Sequence, residues 1–237
     1  MTPPSKQAPV ALVTGANQGI GLETARRLAT AGCTVYVAAR NRERGTVAAA
    51  EIGARFVALE VTSDVSVAAA AAQVEADVGH LDILVNNAGI TGPQDNVHDL
   101  TGAGIEQVLA TNVVGYVRVI HAFLPLLERA ERPRIVNVTS GLGSLARFHD
   151  RSRIESRAGS PFYAASKAAI NMLTVRYARA LPDLRINAAD PGLTATAFSG
   201  GMGHSVGDGT DAIIRFAIGE DQDLTGRYRD RDGDVPW

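Results

Sequence analysis

Short apolar runs rich in β-branched residues alternate along this chain with longer stretches in which apolar positions recur at helical spacing. The runs at 10–13, 34–38, 55–61, 81–85, 134–138 and 185–189 carry too few polar positions for a strand with one face in water, so they predict strands buried on both faces. Between them the spacing predicts helices over 19–31, 42–52, 64–78, 103–130, 162–181 and 208–218, with a last short strand near 226–229. Strands that alternate with helices pair in parallel, and right-handed crossovers then give a single-domain Rossmann-like fold, a doubly wound parallel β-sheet with helices on both faces. Residues 1–9, polar and proline-rich, read as a disordered tail before one domain at 10–237. Two stretches interrupt the alternation: a charged segment at 147–161 and a glycine-rich one at 193–207, each long enough to be a functional loop.

Composition narrows the function without naming it. A net charge of −2 lacks the basic footprint of a nucleic-acid or anionic-membrane binder, so neither partner is expected. The single Cys33 cannot close an intrachain disulfide, and the apolar run at 10–13 is far too short for a signal core or a membrane span, so the cytoplasm is the expected compartment. No spacing of metal-ligating residues stands out, and no metal is expected.

Chemistry enters at the first strand–helix junction. Gly15, Gly19 and Gly21 in Thr14-Gly15-Ala16-Asn17-Gln18-Gly19-Ile20-Gly21 permit a tight turn and close approach of backbone to a pyrophosphate held at the next helix N-terminus; the alternative is turn chemistry alone. About 20 residues on, where a carboxylate would hold a ribose 2′-hydroxyl, stand Ala38, Ala39, Arg40 and Asn41. Arg40 offers a guanidinium fork suited to a 2′-phosphate, so NADP(H) is favoured, with NAD(H) the weaker cofactor; otherwise Arg40 is a solvated charge at a strand end. Further along, Tyr163 and Lys167 are four residues apart on a predicted helix and share a face. An ammonium there can stabilise a phenolate, and Lys167 is one of only two lysines against 21 arginines, the other being Lys6 in the tail.

Taken together, TGANQGIG at 14–21, LVNNAG at 84–89, Asn112, Ser140 after IVNVT, YAASK at 163–167 and Pro191-Gly192 resemble the short-chain dehydrogenase/reductase family, in its classical subgroup, over residues 10 to about 230. Arg40 closing VAAR and the terminal YRDRDGDVPW look most like the carbonyl-reductase branch. The resemblance implies Tyr163 as proton donor to a substrate carbonyl, Lys167 lowering its pKa and binding the nicotinamide ribose, Ser140 orienting the carbonyl, and Asn112 holding a water of the proton relay. It places Gly15, Asn17, Gln18, Gly19, Ile20 and Gly21 at the pyrophosphate, Glu60 and Val61 at the adenine, and Asn87, Ala88 and Gly89 at the adenosine ribose. Pro191, Gly192, Leu193 and Thr196 would meet the nicotinamide carboxamide. Four features depart from the pattern: Glu60 for the usual aspartate, Gln18 where NADP-preferring relatives often have a basic residue, Asp190 before Pro191, and a spacing of 23 residues from Ser140 to Tyr163.

The expected activity is NADPH-dependent reduction of a ketone or aldehyde to an alcohol. The alternatives are a cofactor-sensing regulator on the same fold and a reductase of an imine or activated double bond. The substrate pocket is expected from 141–148, 147–161, 90–94 and 193–207, with 147–161 as a mobile lid whose basic groups stay at the rim while Phe148, Ile154 and Phe162 turn inward. Outward apolar positions Val113, Val117, Ile120, Met172 and Leu173 suggest a homodimer or homotetramer.

Overall fold

The computed structural model describes residues 8–92, 98 and 100–237. The expected tail at 1–9 therefore lies almost wholly outside the described residues, as does the 93–94 end of one expected pocket wall. Strands β1 (Val10–Thr14), β2 (Thr34–Ala39), β3 (Arg55–Ala58), β4 (Ile83–Asn86), β5 (Arg134–Val138), β6 (Arg185–Ala189), β7 (Tyr228–Asp230) and β8 (Gly233–Asp234) form one sheet in the order β3-β2-β1-β4-β5-β6-β7-β8. All pairings are parallel except the last, β7 with β8. All five residues of β1 are buried because both faces are covered: Val10 and Leu12 join one core layer, Ala11 and Val13 the other.

Helices α1 (Gly19–Thr30), α2 (Arg42–Glu51) and α3 (Asp64–Val78) follow the expected bounds closely. Asn41 and Ser63 start α2 and α3 by accepting backbone N–H bonds from Arg44 and Ser66. The expected long helix at 103–130 is instead three pieces: α4 (Gly102–Leu109), a π-turn (Ala110–Val114) and α5 (Gly115–Leu127). The break surrounds Asn112, fully buried and bonded to a neighbouring loop, a tertiary demand that periodicity does not register. This apolar stretch is long enough to cross a membrane, yet Val119, Phe123 and Leu127 lie in the core against the sheet. Ile120, expected to face outward, is buried with them, whereas Met172 is exposed.

Within the insertion run α6 (Leu145–His149) and a 3₁₀ turn (Ile154–Arg157), neither foreseen, before α7 (Pro161–Ala180). The expected helix at 208–218 is α8 (Val206–Gly209) followed by α9 (Asp211–Ala217).

Candidate active site

Every expected site residue other than Asn112, Tyr163 and Lys167 falls at or just beyond the carboxyl ends of β1 to β6, where an open parallel sheet presents its ligand crevice. After β1, Gly15 and Gly19 take positive φ of 65° and 56°, a conformation glycine adopts without strain. A Cβ on Gly21 would stand 2.6 Å from the carbonyl oxygen of Gly15 and 2.5 Å from Nδ2 of Asn87, so the third glycine is required by packing. Asn87 braces this turn by donating from Nδ2 to the Thr14 carbonyl at 2.9 Å, while Thr14 Oγ1 accepts from the backbone N–H groups of Asn87 and Ala88.

No side chain caps α1 at Gln18, and no acid sits in its first turn, so its leading N–H groups are free for an anion. These residues fit a dinucleotide pyrophosphate.

Arg40 is exposed at the end of β2, and its nearest carboxylate is Glu60, with Oε2 at 3.8 Å from Nη1. Glu60 is held in place by accepting from Thr62, through both the backbone N–H and the hydroxyl. The end of β2 thus presents an arginine with an acid alongside. Val61 is buried against Gly115, so its side chain belongs to the core and only its backbone remains for an adenine.

The residues expected to be catalytic come together from the end of β5, the π-turn and α7. Lys167, buried, donates from Nζ to the Val138 carbonyl at 2.8 Å and lies 5.3 Å from the centroid of the Tyr163 ring. On its other side the Tyr116 ring centroid is 5.5 Å away, and Tyr116 donates its hydroxyl to the same Val138 carbonyl. Asn112 accepts from Ile90 N–H at 2.8 Å and donates to the Ile90 carbonyl and to Ser166 Oγ, which fixes the 89–90 turn beside Lys167. Ser140 opens a 3₁₀ turn (Gly141–Gly143), accepting from Leu142 N–H, and its carbonyl receives the Tyr228 hydroxyl at 2.7 Å.

Burial is the first cause of every shift here. It pushes the Tyr163 phenol well above its ordinary range, aided by the Asp190 charge and opposed by a hydrogen bond with Ser140. Burial also lowers the Lys167 ammonium to about 7, with Asp190 pulling the other way. Desolvation outweighs the other influences on the Tyr163 phenol.

The loop after β6 reaches across the crevice. Thr196 lies against Gly19, whose Cβ would meet its methyl at 3.4 Å, and the Phe198 ring tilts onto Tyr163 at 5.6 Å. Leu193, in the same loop, is exposed. The insertion behaves differently from the expected lid. Arg147, expected at the rim, is only 8% exposed, while Phe148 and Ile154 are 49% and 64% exposed and only Phe162 turns inward. A concavity of about 430 Å³ opens between Phe148, His149, Arg151, Ser156 and Arg157, none of them a catalytic residue.

Asp190, which no sequence pattern accounts for, is 2% exposed and receives Arg147 Nη1 at 2.9 Å. Arg147 also contacts Glu155 and Asp230. Single residues scattered over more than 80 positions leave no local motif, so only the odd Asp190 hinted at this cluster. Tyr116 and Ser166 were missed for a simpler reason: each reads as an ordinary helix residue.

A family model described as short chain dehydrogenase matches residues 9–205. The chain is 37% identical to short-chain dehydrogenase anuI of Penicillium roqueforti, over 94% of both chains. It is 31% identical to (-)-isopiperitenone reductase of Mentha piperita, over 94% of this chain and 96% of that one. The solved NADPH-bound carbonyl reductase from chicken fatty liver superposes with a TM-score of 0.84 at 26% identity, over 97% of this chain and 99% of that one.

Proposed function

The chain belongs to the short-chain dehydrogenase family, and from that premise we propose that it reduces a ketone or aldehyde to the alcohol with NADPH in preference to NADH. The observation that carries this reading is the buried Lys167 ammonium beneath the Tyr163 ring, with the Ser140 turn and the glycine turn opening on the same crevice. Gly15 to Gly21 and the free α1 amides would hold the pyrophosphate, Arg40 the 2′-phosphate, and Gly192 with Thr196 the carboxamide end. The bound nicotinamide supplies a hydride.

The chain's own groups do the rest. Ser140 orients the carbonyl. Tyr163, protonated at neutral pH, releases its phenolic proton to the oxygen as charge develops there. Lys167 then faces the phenolate and reaches for the ribose. Phe198 and Leu193 support an apolar carbonyl substrate. Exposed Val114 and Met172 support assembly as a homodimer or homotetramer.

The test is a panel of carbonyl compounds with NADPH oxidation followed by absorbance. Tyr163→Phe is expected to lower kcat on the order of 100- to 10,000-fold and leave NADPH affinity intact, since the hydroxyl acts on the developing alkoxide. Lys167→Ala is expected to damage both. Turnover retained in Tyr163→Phe would overturn the assignment.

A further inference from the structure

Arg147 stands among three carboxylates that come from different parts of the chain. Its Nη1 is 2.9 Å from Asp190 and 3.4 Å from Glu155, and Nη2 bonds Asp230. Ion pairs this far from water are retained only with good geometry, because each charge has lost its hydration. Asp190 fills its remaining acceptor sites with backbone: Oδ1 accepts from Gly192 N–H at 2.8 Å, and Gly141 N–H donates to the same carboxylate. Gly141 is at the centre of the cluster, since a Cβ there would meet Glu155 Oε1 at 2.7 Å and Asp190 Oδ2 at 3.0 Å. Its neighbour Ser140 is fixed from the far side by Tyr228, on which Trp237 stacks at 5.2 Å.

We propose that Asp190, seated on Arg147, is a positioning residue of the active site. It ties the Ser140–Gly141 turn to the Pro191–Gly192 turn, so the wall that orients the carbonyl and the wall that meets the nicotinamide hold one spacing. This rests on the carbonyl-reductase reading for what the two walls do, though the tether itself does not depend on it. The titratable and charged groups facing Lys167 are Tyr163 on its own helix, Tyr116 on α5, and Asp190 beyond β6 with Arg147 behind it. Phe148 and Ile154 are free to be exposed because the insertion is anchored through Arg147 and Glu155 instead.

Asp190→Ala removes the tether yet leaves Arg147 paired with Glu155 and Asp230, so the fold has its counter-ions. Hydrogen exchange of peptides covering 139–144 and 190–194 is expected to quicken in both together while the glycine turn stays as in wild type. With an active carbonyl substrate, kcat is expected to fall on the order of 100-fold, the cost of a misplacement near 1 Å, with a smaller change in KM. Asp190→Asn keeps one acceptor oxygen, enough for Gly192 N–H, but turns a donor toward Arg147 or Gly141. Its exchange and its kcat are expected to fall between those of wild type and Asp190→Ala.

Unchanged exchange in Asp190→Ala overturns the proposal, as does wild-type kcat despite quickened exchange. If wild type reduces no carbonyl in the panel, the proposed reaction falls and the exchange comparison alone decides the tether.

Discussion

The turns after β1 and β5 flank one crevice but are held by different forces. The glycine turn is braced by neutral groups: Thr14 Oγ1 accepts two backbone N–H groups and Asn87 returns a bond to the Thr14 carbonyl. The Ser140 turn is braced by a guanidinium and the carboxylates around it. Neutral bracing leaves the α1 amides and Arg40 free of local competition for a phosphate, apart from Glu60. Ionic bracing costs desolvation and is intolerant of losing a partner, because the group left behind is a buried charge.

The largest test of that difference is a matched pair of side-chain removals followed by urea unfolding. Arg147→Met leaves Asp190 and Asp230 without a cation, Glu155 keeping Arg153, and is expected to cost about 3–5 kcal/mol of folding stability. Thr14→Val, which strands the Asn87 and Ala88 N–H groups, is expected to cost about 1–3 kcal/mol. Equal losses would erase the contrast. A smaller effect, confined to the neutral side, comes from Arg40→Asp. Losing one charge-assisted contact should reduce the NADPH-to-NADH ratio of kcat/KM about 10- to 100-fold with stability unchanged. An unchanged ratio would mean that Arg40 does not read the phosphate.

The smallest effect needs no mutation. Lys167 is protonated below about 7 and neutral above it, so kcat/KM for reduction, which reports the free enzyme, should decline as pH rises through that value. A profile flat to pH 9 would show that the ammonium is dispensable or far more basic. The groups that bear on this titration are those named above, Tyr163, Tyr116 and Asp190.

The glycine turn and the Tyr163–Lys167 pair were legible in the sequence because each is contained in one short segment whose spacing fixes its geometry. The strands were legible for the same reason, being runs of apolar residues. What escaped was set by contacts across the fold. The π-turn at Asn112 answers to Ile90, 22 residues away, and the ending of β3 at Ala58 frees Glu60 to turn toward Arg40. The basic rim and apolar inner wall expected of the insertion differ from what is found because the partners that draw Arg147 inside lie far along the chain. Asp190 and Asp230 are 43 and 83 residues from it, and nothing local joins them.

The chain order of those partners has a consequence for biosynthesis. Arg147 and Glu155 leave the ribosome before Asp190, and Asp230 follows only with the last strands. The glycine turn, with β1, β2 and β4, can close while synthesis continues, since all its bracing groups lie before residue 90. The carbonyl wall cannot: until Tyr228 and Asp230 arrive, Ser140 lacks one anchor and a cation destined for the interior lacks part of its neutralisation. A nascent chain stalled between β4 and β7 would therefore carry every group that braces the glycine turn and only some of those that brace the Ser140 turn.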